Sequence, residues 1–230
     1  MLQPHEIDAL LISLKVALAA TAFGLPLAIA LAYWLARTRS RSKVLVDTLI
    51  QIPLIVPPVV VGFALLITFS AQFRFGAWLQ GLGLNPAFTW VAAAIASGVM
   101  ALPLMVRAVR QSFDLEPAAL RDAAQTLGVD GFALFRRVSL PLAYPGIASA
   151  TVLGFARALG EFGATITFAA NIPGLTQTLP LAIFSAAQVP GGEFAALRLV
   201  MLSLIPALGS LLVSEWMHRR HVRRMGLKAA

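Results

Sequence analysis

The sequence predicts an all-α integral membrane protein, a five-span polytopic helical bundle with its N-terminus outside and its C-terminus in the cytoplasm. Three observations predict it: the composition, five long apolar stretches, and the sidedness of the basic residues. Of 230 residues, 59% are hydrophobic and only 12% are charged. Soluble domains carry about 25% charged residues, so these side chains are too few to cover a water-exposed surface of this size. An ordinary soluble enzyme, a disordered tail and a fibrous protein are excluded. With no cysteine, a disulfide framework, a thiolate nucleophile and a Cys-ligated metal are excluded too.

About 20 apolar residues in a helix cross the hydrocarbon core. A single domain, 1–230, places its spans at about 10–36, 44–70, 87–106, 142–169 and 196–216. The first holds a charge-free window over 16–36. The second carries Asp47 near one end and Pro53, Pro57 and Pro58 along its length; the third contains Pro103. These prolines kink or break spans and free backbone carbonyls, which suits either spans that tilt or a static shaping of the bundle. The fourth follows Pro141 and is interrupted by Arg157 and Glu161, and the fifth stops before His218-Arg219-Arg220. Segment 170–195 is apolar but broken by prolines, and its cleanest run, 179–189, is too short to cross. It reads as an interfacial or re-entrant piece on the periplasmic side.

Sidedness follows from the basic residues. Arg37, Arg39, Arg41 and Lys43 lie in the first connection. Arg107, Arg110, Arg121, Arg136 and Arg137 lie in the third, and Arg219, Arg220, Arg223, Arg224 and Lys228 in the tail. With five spans all three segments share one face, which the positive-inside rule makes cytoplasmic. A sixth span would put the basic tail outside. The net charge of +8 therefore reports topology and predicts no nucleic-acid partner; the tail arginines meet anionic lipid headgroups. Trp34, Trp90 and Trp216 fall at span ends, as interfacial anchors should. Trp78 sits in the external loop 71–86. Glu6 and Asp8 stand where a cleavable signal wants positive charge. His218 and His221 are three apart, but without a carboxylate or cysteine beyond Glu215 they predict no metal site.

The connection 107–141 is far longer than a bare loop. Glu116-Pro117 signals a helix start. Ala118, Ala119, Leu120, Ala123, Ala124 and Leu127 then lay a small apolar face at helical spacing. Gly128 ends that helix as a left-handed cap, and Asp130 can cap a second helix holding Phe132, Leu134 and Phe135. Alanines at 123 and 124 let another protein's groove close tightly around the turn. The alternative is an amphipathic linker lying on the membrane surface.

Asp122-Ala123-Ala124, three residues, Gly128, nine residues, then Val138-Ser139-Leu140-Pro141 resembles the signature of ABC-importer permeases. That signature is Glu-Ala-Ala, three residues, Gly, nine residues, Ile-x-Leu-Pro; Asp122 and Val138 depart from it and keep charge or shape. Further runs resemble the molybdate importer branch. They are Pro57-Pro58-Val59-Val60-Val61-Gly62, the run RALGEFGATITF at 157–168, Asn171-Ile172-Pro173-Gly174 and Pro190-Gly191-Gly192-Glu193. The resemblance implies a type I importer fold in the bacterial inner membrane and a homodimer on two cytoplasmic ABC ATPase subunits. It also implies a periplasmic molybdate-binding protein that delivers the anion. Closure of the ATPases would push on Asp122, Ala123, Ala124 and Gly128, with Leu140 and Pro141 closing the coupling motif, and drive alternating access. This chain would be no enzyme and hold no cofactor, ATP and Mg being used by the partner. It carries no Gly-x-x-x-x-Gly-Lys-Ser/Thr loop, which agrees. Tungstate and sulfate are the rival substrates, and an ion-gradient-driven secondary transporter is the rival class.

Arg157 and Glu161 lie four apart in the fourth span, so they sit on one helical face and can pair. Together with Gly160, Gly163 and Thr165 they form either a pathway or gate element, or an ion pair among small residues that fixes span packing.

Overall fold

The computed structural model describes residues 3–224, with side chains at 211 and 214–224 outside that description. The expectations for Trp216, His218, His221, Arg219, Arg220, Arg223, Arg224 and Lys228 therefore fall outside the described residues. Among the described residues every regular element is helical. In chain order they are α1 (Pro4–Arg37), α2 (Ser42–Ile55), α3 (Pro58–Phe69), α4 (Arg74–Gly81), α5 (Trp90–Asp114) and α6 (Ala118–Thr126). After them come α7 (Gly131–Leu134), a π-helical turn (Phe135–Ser139), α8 (Leu140–Leu142), α9 (Tyr144–Leu159), α10 (Gly163–Phe168), α11 (Leu179–Ala187) and α12 (Glu193–Arg224).

Helices α1, α5 and α9 form the centre, and small residues set their separation. A Cβ added at Gly24 of α1 would meet Met105 Cε at 2.6 Å, and one at Gly154 of α9 would meet Met105 Sδ at 2.5 Å. Met105 is thus gripped between two glycines on neighbouring helices, the close approach that small residues permit within a membrane. Gly146 lets α9 sit on the backbone of Ala108 at the same tight spacing. Ala28, Ala32, Leu35, Val106, Val109, Phe113 and Ala150 complete that core. The outer surface is apolar in turn: Phe23, Ile55, Phe194 and Leu212 are all widely exposed. Apolar residues both inside and outside are what a bundle facing lipid or further chains requires.

Three helices, starting at Pro4, Trp90 and Glu193, are long and apolar enough to cross a membrane, and two bent pairs raise this to five if each is one span. The helix boundaries refine the expected stretches. The stretch 44–70 is not one straight helix: α2 and α3 meet at 113°, because Pro57 lacks the donor to continue α2 and Pro58 opens α3 at its first turn. The stretch 142–169 is not continuous either, since α9 stops at Leu159 and α10 is a separate turn. Helix α5 runs through Pro103 without a break to Asp114, so Arg107 and Arg110 stand on a helix. Arg107 donates to Gln51 Oε1 at 2.7 Å and Arg110 to Asp47 Oδ2 at 2.9 Å, clasping α2 to the end of α5. Segment 170–195 holds α11, whose Leu179, Leu181 and Ala182 are buried. The backbone N–H of Leu179 donates to Ser13 Oγ of α1 at 2.6 Å.

Candidate functional site: the coupling turn and the membrane elbow

Residues 114–141 leave the bundle as a turn of two helices. Helix α6 begins one residue after Pro117, whose extended backbone occupies the N-cap position. It ends in the expected left-handed glycine: Gly128 has φ +77. The Val129 N–H returns to Ala124 O at 3.0 Å and the Gly128 N–H to Gln125 O at 2.9 Å. Those two bonds make a full Schellman closure, which satisfies carbonyls that the helix end would leave orphaned. Asp130 stands at the N-cap of α7 in extended backbone, but its side chain makes no cap bond, a departure from the sequence expectation. Its carbonyl alone accepts, from Leu134 N at 3.1 Å.

No residue of α6 is buried. Asp122 and Ala123 are exposed, Ala124 is half-buried and Gly128 is exposed, while Leu127 (82%) and Phe132 (75%) present large apolar side chains beside them. A Cβ added at Gly128 would meet nothing, so conformation, not crowding, selects glycine there. On the returning limb the chain widens into the π turn, and the Leu140 N–H bonds Phe135 O. Pro141, with no N–H of its own, sits immediately after it. Leu140 is half-buried and Pro141 exposed. The turn is therefore a short apolar knob on two limbs.

Both limbs are anchored at their base. Glu116 is buried, and its Oε2 accepts from Arg37 Nη2 at the end of α1. The same nitrogen reaches Ser139 Oγ at 3.4 Å. The Tyr33 ring lies edge-on to Phe113 at 5.3 Å and to Phe135 at 4.7 Å, and the Arg37 guanidinium lies 5.4 Å from the Tyr33 ring. In the sequence alone Arg37 marks sidedness and Glu116 a helix start. The one available hint was an acid at the head of a basic connection.

The second candidate region is the elbow after α9. Gly160 caps α9, and Glu161 lies in the break, so Arg157 and Glu161 do not share a continuous helical face. They pair all the same: Arg157 Nη1 lies 2.5 Å from Glu161 Oε2, and Glu161 Oε1 accepts from the Ala164 N–H at 2.9 Å. The carboxylate, buried, ties the end of α9 to the start of α10 with both oxygens engaged. Gly163 and Gly62 then let α10 lie against α3. A Cβ at Gly163 would meet Pro58 Cβ at 2.8 Å, and one at Gly62 would meet Thr167 Oγ1 at 1.8 Å. Thr165 is buried with no partner for its hydroxyl among the described residues. Gly160, but neither Arg157 nor Glu161, lines a cleft of about 470 Å³ between α9, α11 and α12. No group of three or more metal-ligating side chains occurs among the described residues.

The fold defines a class. Over 99% of this chain and 82% of the other, it superposes with TM-score 0.70 and 17% identity on a bacterial alginate ABC transporter, solved with an alginate pentasaccharide-bound periplasmic protein. An amino acid ABC transporter solved with histidines follows at TM-score 0.60 and 16% identity, covering 96% and 94%. The architecture is that of ABC transporter membrane subunits. Residues 24–226 match the family of binding-protein-dependent transport system inner membrane components, and the chain belongs to that family. It is 46% identical over 222 residues to the molybdenum transport system permease protein ModB of Haemophilus influenzae, covering 96% of this chain and 97% of that one. It is 45% identical over 227 residues to ModB of Escherichia coli K12, covering 98% and 99%.

Proposed function

We propose that this chain is the membrane-spanning subunit of an ATP-driven molybdate importer, working as a homodimer on two cytoplasmic ATPase subunits. A periplasmic binding protein delivers the oxyanion, and ATP hydrolysis, with its Mg, resides in the partner. The observation that carries the reading is the coupling turn. A helix with no buried residue, closed by Gly128 and flanked by exposed Leu127 and Phe132, is an element built to enter another protein. The relatives' names give molybdenum transport, which supports its oxyanion molybdate as the substrate.

The length of α1 supports a full span, and the N-out reading rests on the basic residues at its Arg37 end. Lys15 Nζ rests 3.8 Å from the Trp90 ring at the start of α5, a cation–aromatic contact suited to the headgroup level. From Lys15 to Trp34, α1 covers about 28 Å at 1.5 Å per residue, close to the ~30 Å hydrocarbon thickness. The piece of α1 before Lys15 then stands outside with the start of α12, held by Glu6 and Arg198. The ends carrying Arg37 and Glu116 share the cytoplasmic face. We assign Arg157 and Glu161 to holding the elbow. Gly160 and Phe162 of the elbow border open space from which a pathway could form.

The test is uptake into proteoliposomes holding this chain, its ATPase and its binding protein. Molybdate should enter only with ATP and loaded binding protein, and Ala123→Trp should abolish both ATPase co-purification and uptake. Uptake driven by an ion gradient without ATP would sink the reading. Competition with tungstate and sulfate ranks the three tetrahedral dianions.

A further inference from the structure

We propose that Arg37 and Glu116 are the positioning residues through which movement of the coupling turn reaches the membrane helices, the pair passing from one hydrogen bond to two during transport. The proposal rests on the reading that the turn docks an ATPase.

Helix α6 cannot transmit force by its own packing. It buries no residue, and among the described residues its one side-chain hydrogen bond is local, from Thr126 Oγ1 to Ala123 O. The first fixed point before it is Glu116, whose side chain is wholly buried. On the returning limb a matching point is Ser139, also buried, at the end of the π turn. One guanidinium, Arg37 at the end of α1, reaches both. A displacement of α6 therefore acts on α1 through this group. Tyr33, Phe113 and Phe135 around it join the rest of α1, α5 and the returning limb.

The pair is incomplete in a specific way. Arg37 Nε and Glu116 Oε1 are both buried, and neither has a partner among the described residues. One is a donor and the other an acceptor. Nε–H lies on the same edge of a guanidinium as Nη2, the nitrogen already bonded to Glu116 Oε2. A small rotation of the carboxylate would bring Oε1 opposite Nε and give the two-bond fork that arginine and carboxylates favour. At the opposite end of α1, Arg198 already uses that edge, with Nε and Nη2 at 3.0 and 2.9 Å from Glu6 Oε1. Leaving buried donors and acceptors unmade is costly. A state that joins them is therefore favoured over this one by that difference, and a load on α6 can tip the balance. Lysine at 37 keeps the charge but is a point donor that cannot fork, and glutamine at 116 keeps the shape but offers one acceptor oxygen.

The experiment uses the complete transporter in proteoliposomes and measures molybdate taken up per ATP hydrolysed, beside ATPase co-purification. Arg37→Lys and Glu116→Gln should each leave the ATPase bound and lower uptake per ATP by about tenfold, within the usual range of coupling between sites. Wild-type uptake per ATP in both variants would overturn the proposal. If Glu116→Gln fails to assemble, Arg37→Lys decides, since it keeps a charged pair. Loss of assembly in both would make the pair structural only and overturn the proposal equally. Failure of the wild-type chain to bind an ATPase would instead strike the underlying reading.

Discussion

The coupling turn and the elbow at 160–168 are both short breaks between helices, and they are built in opposite ways. At the elbow the carboxylate is closed internally: Arg157 and the Ala164 N–H take both oxygens of Glu161, and Gly62 and Gly163 bring α3 and α10 into contact tighter than any other side chain allows. At the turn the backbone is closed by Gly128, but no side chain of α6 is buried. The first arrangement ties two helix ends together; the second leaves an exposed apolar surface anchored at its base by Glu116 and Ser139. Rigidity is placed where helices must stay together, and exposure where work must enter.

Substitutions can break this contrast. The largest expected effect is Glu161→Ala, which leaves Arg157 without its partner and Ala164 without its acceptor. Removing one member of a buried pair costs about 3–5 kcal/mol, and with the Arg157 side chain about a quarter exposed the lower end applies. Thermal unfolding of the purified protein in detergent should show this as a marked drop in midpoint; an unchanged midpoint would mean that the elbow is not held by this carboxylate. Next is Gly62→Ala, whose methyl must displace Thr167 and the Ala164 backbone. Overpacking of this kind costs about 1–3 kcal/mol, read in the same melt.

At the turn the order of effects reverses between stability and function. Gly128→Val forces a left-handed conformation on a branched residue, at about 1–2 kcal/mol, while its Cβ meets no other residue. Its melt should shift less than that of Glu161→Ala, yet ATP-coupled uptake should vanish. A retained uptake would show that the Schellman closure is dispensable. The smallest effect on stability belongs to Leu127→Ser. An exposed side chain of this kind changes stability by no more than about 0.5 kcal/mol, but ATPase co-purification should fall. If it does not, the exposed apolar face serves lipid instead of a protein.

The turn was legible in the sequence because its determinants are local. Pro117 near the start, Gly128 at the end and the alanine face between them act within one or two helical turns. Even there Asp130 departed, since a capping geometry of the backbone does not oblige the side chain to bond. The elbow was not legible. The apolar run continues through 160–169, so composition implied one long span, and the four-residue spacing of Arg157 and Glu161 implied a shared helical face. The pair formed, but across a helix end, with the second carboxylate oxygen taken by the Ala164 N–H. Pro57 and Pro58 announced a break, whereas the 113° angle depends on Gly62 and Gly163, about a hundred residues apart.

The sequence by itself determined that the chain is helical and membrane-borne, and where an exposed helical turn closed by Gly128 lies. These follow from composition, periodicity and caps, whose free energies are settled between near neighbours. Only the tertiary structure decided which charges meet: Arg37 with Glu116, Glu6 with Arg198, Asp47 with Arg110. Each of those carboxylates has several basic residues available along the chain. The choice among them is made by helix packing, when glycines at 24, 146 and 154 set how closely α1, α5 and α9 approach and so which helix ends come level.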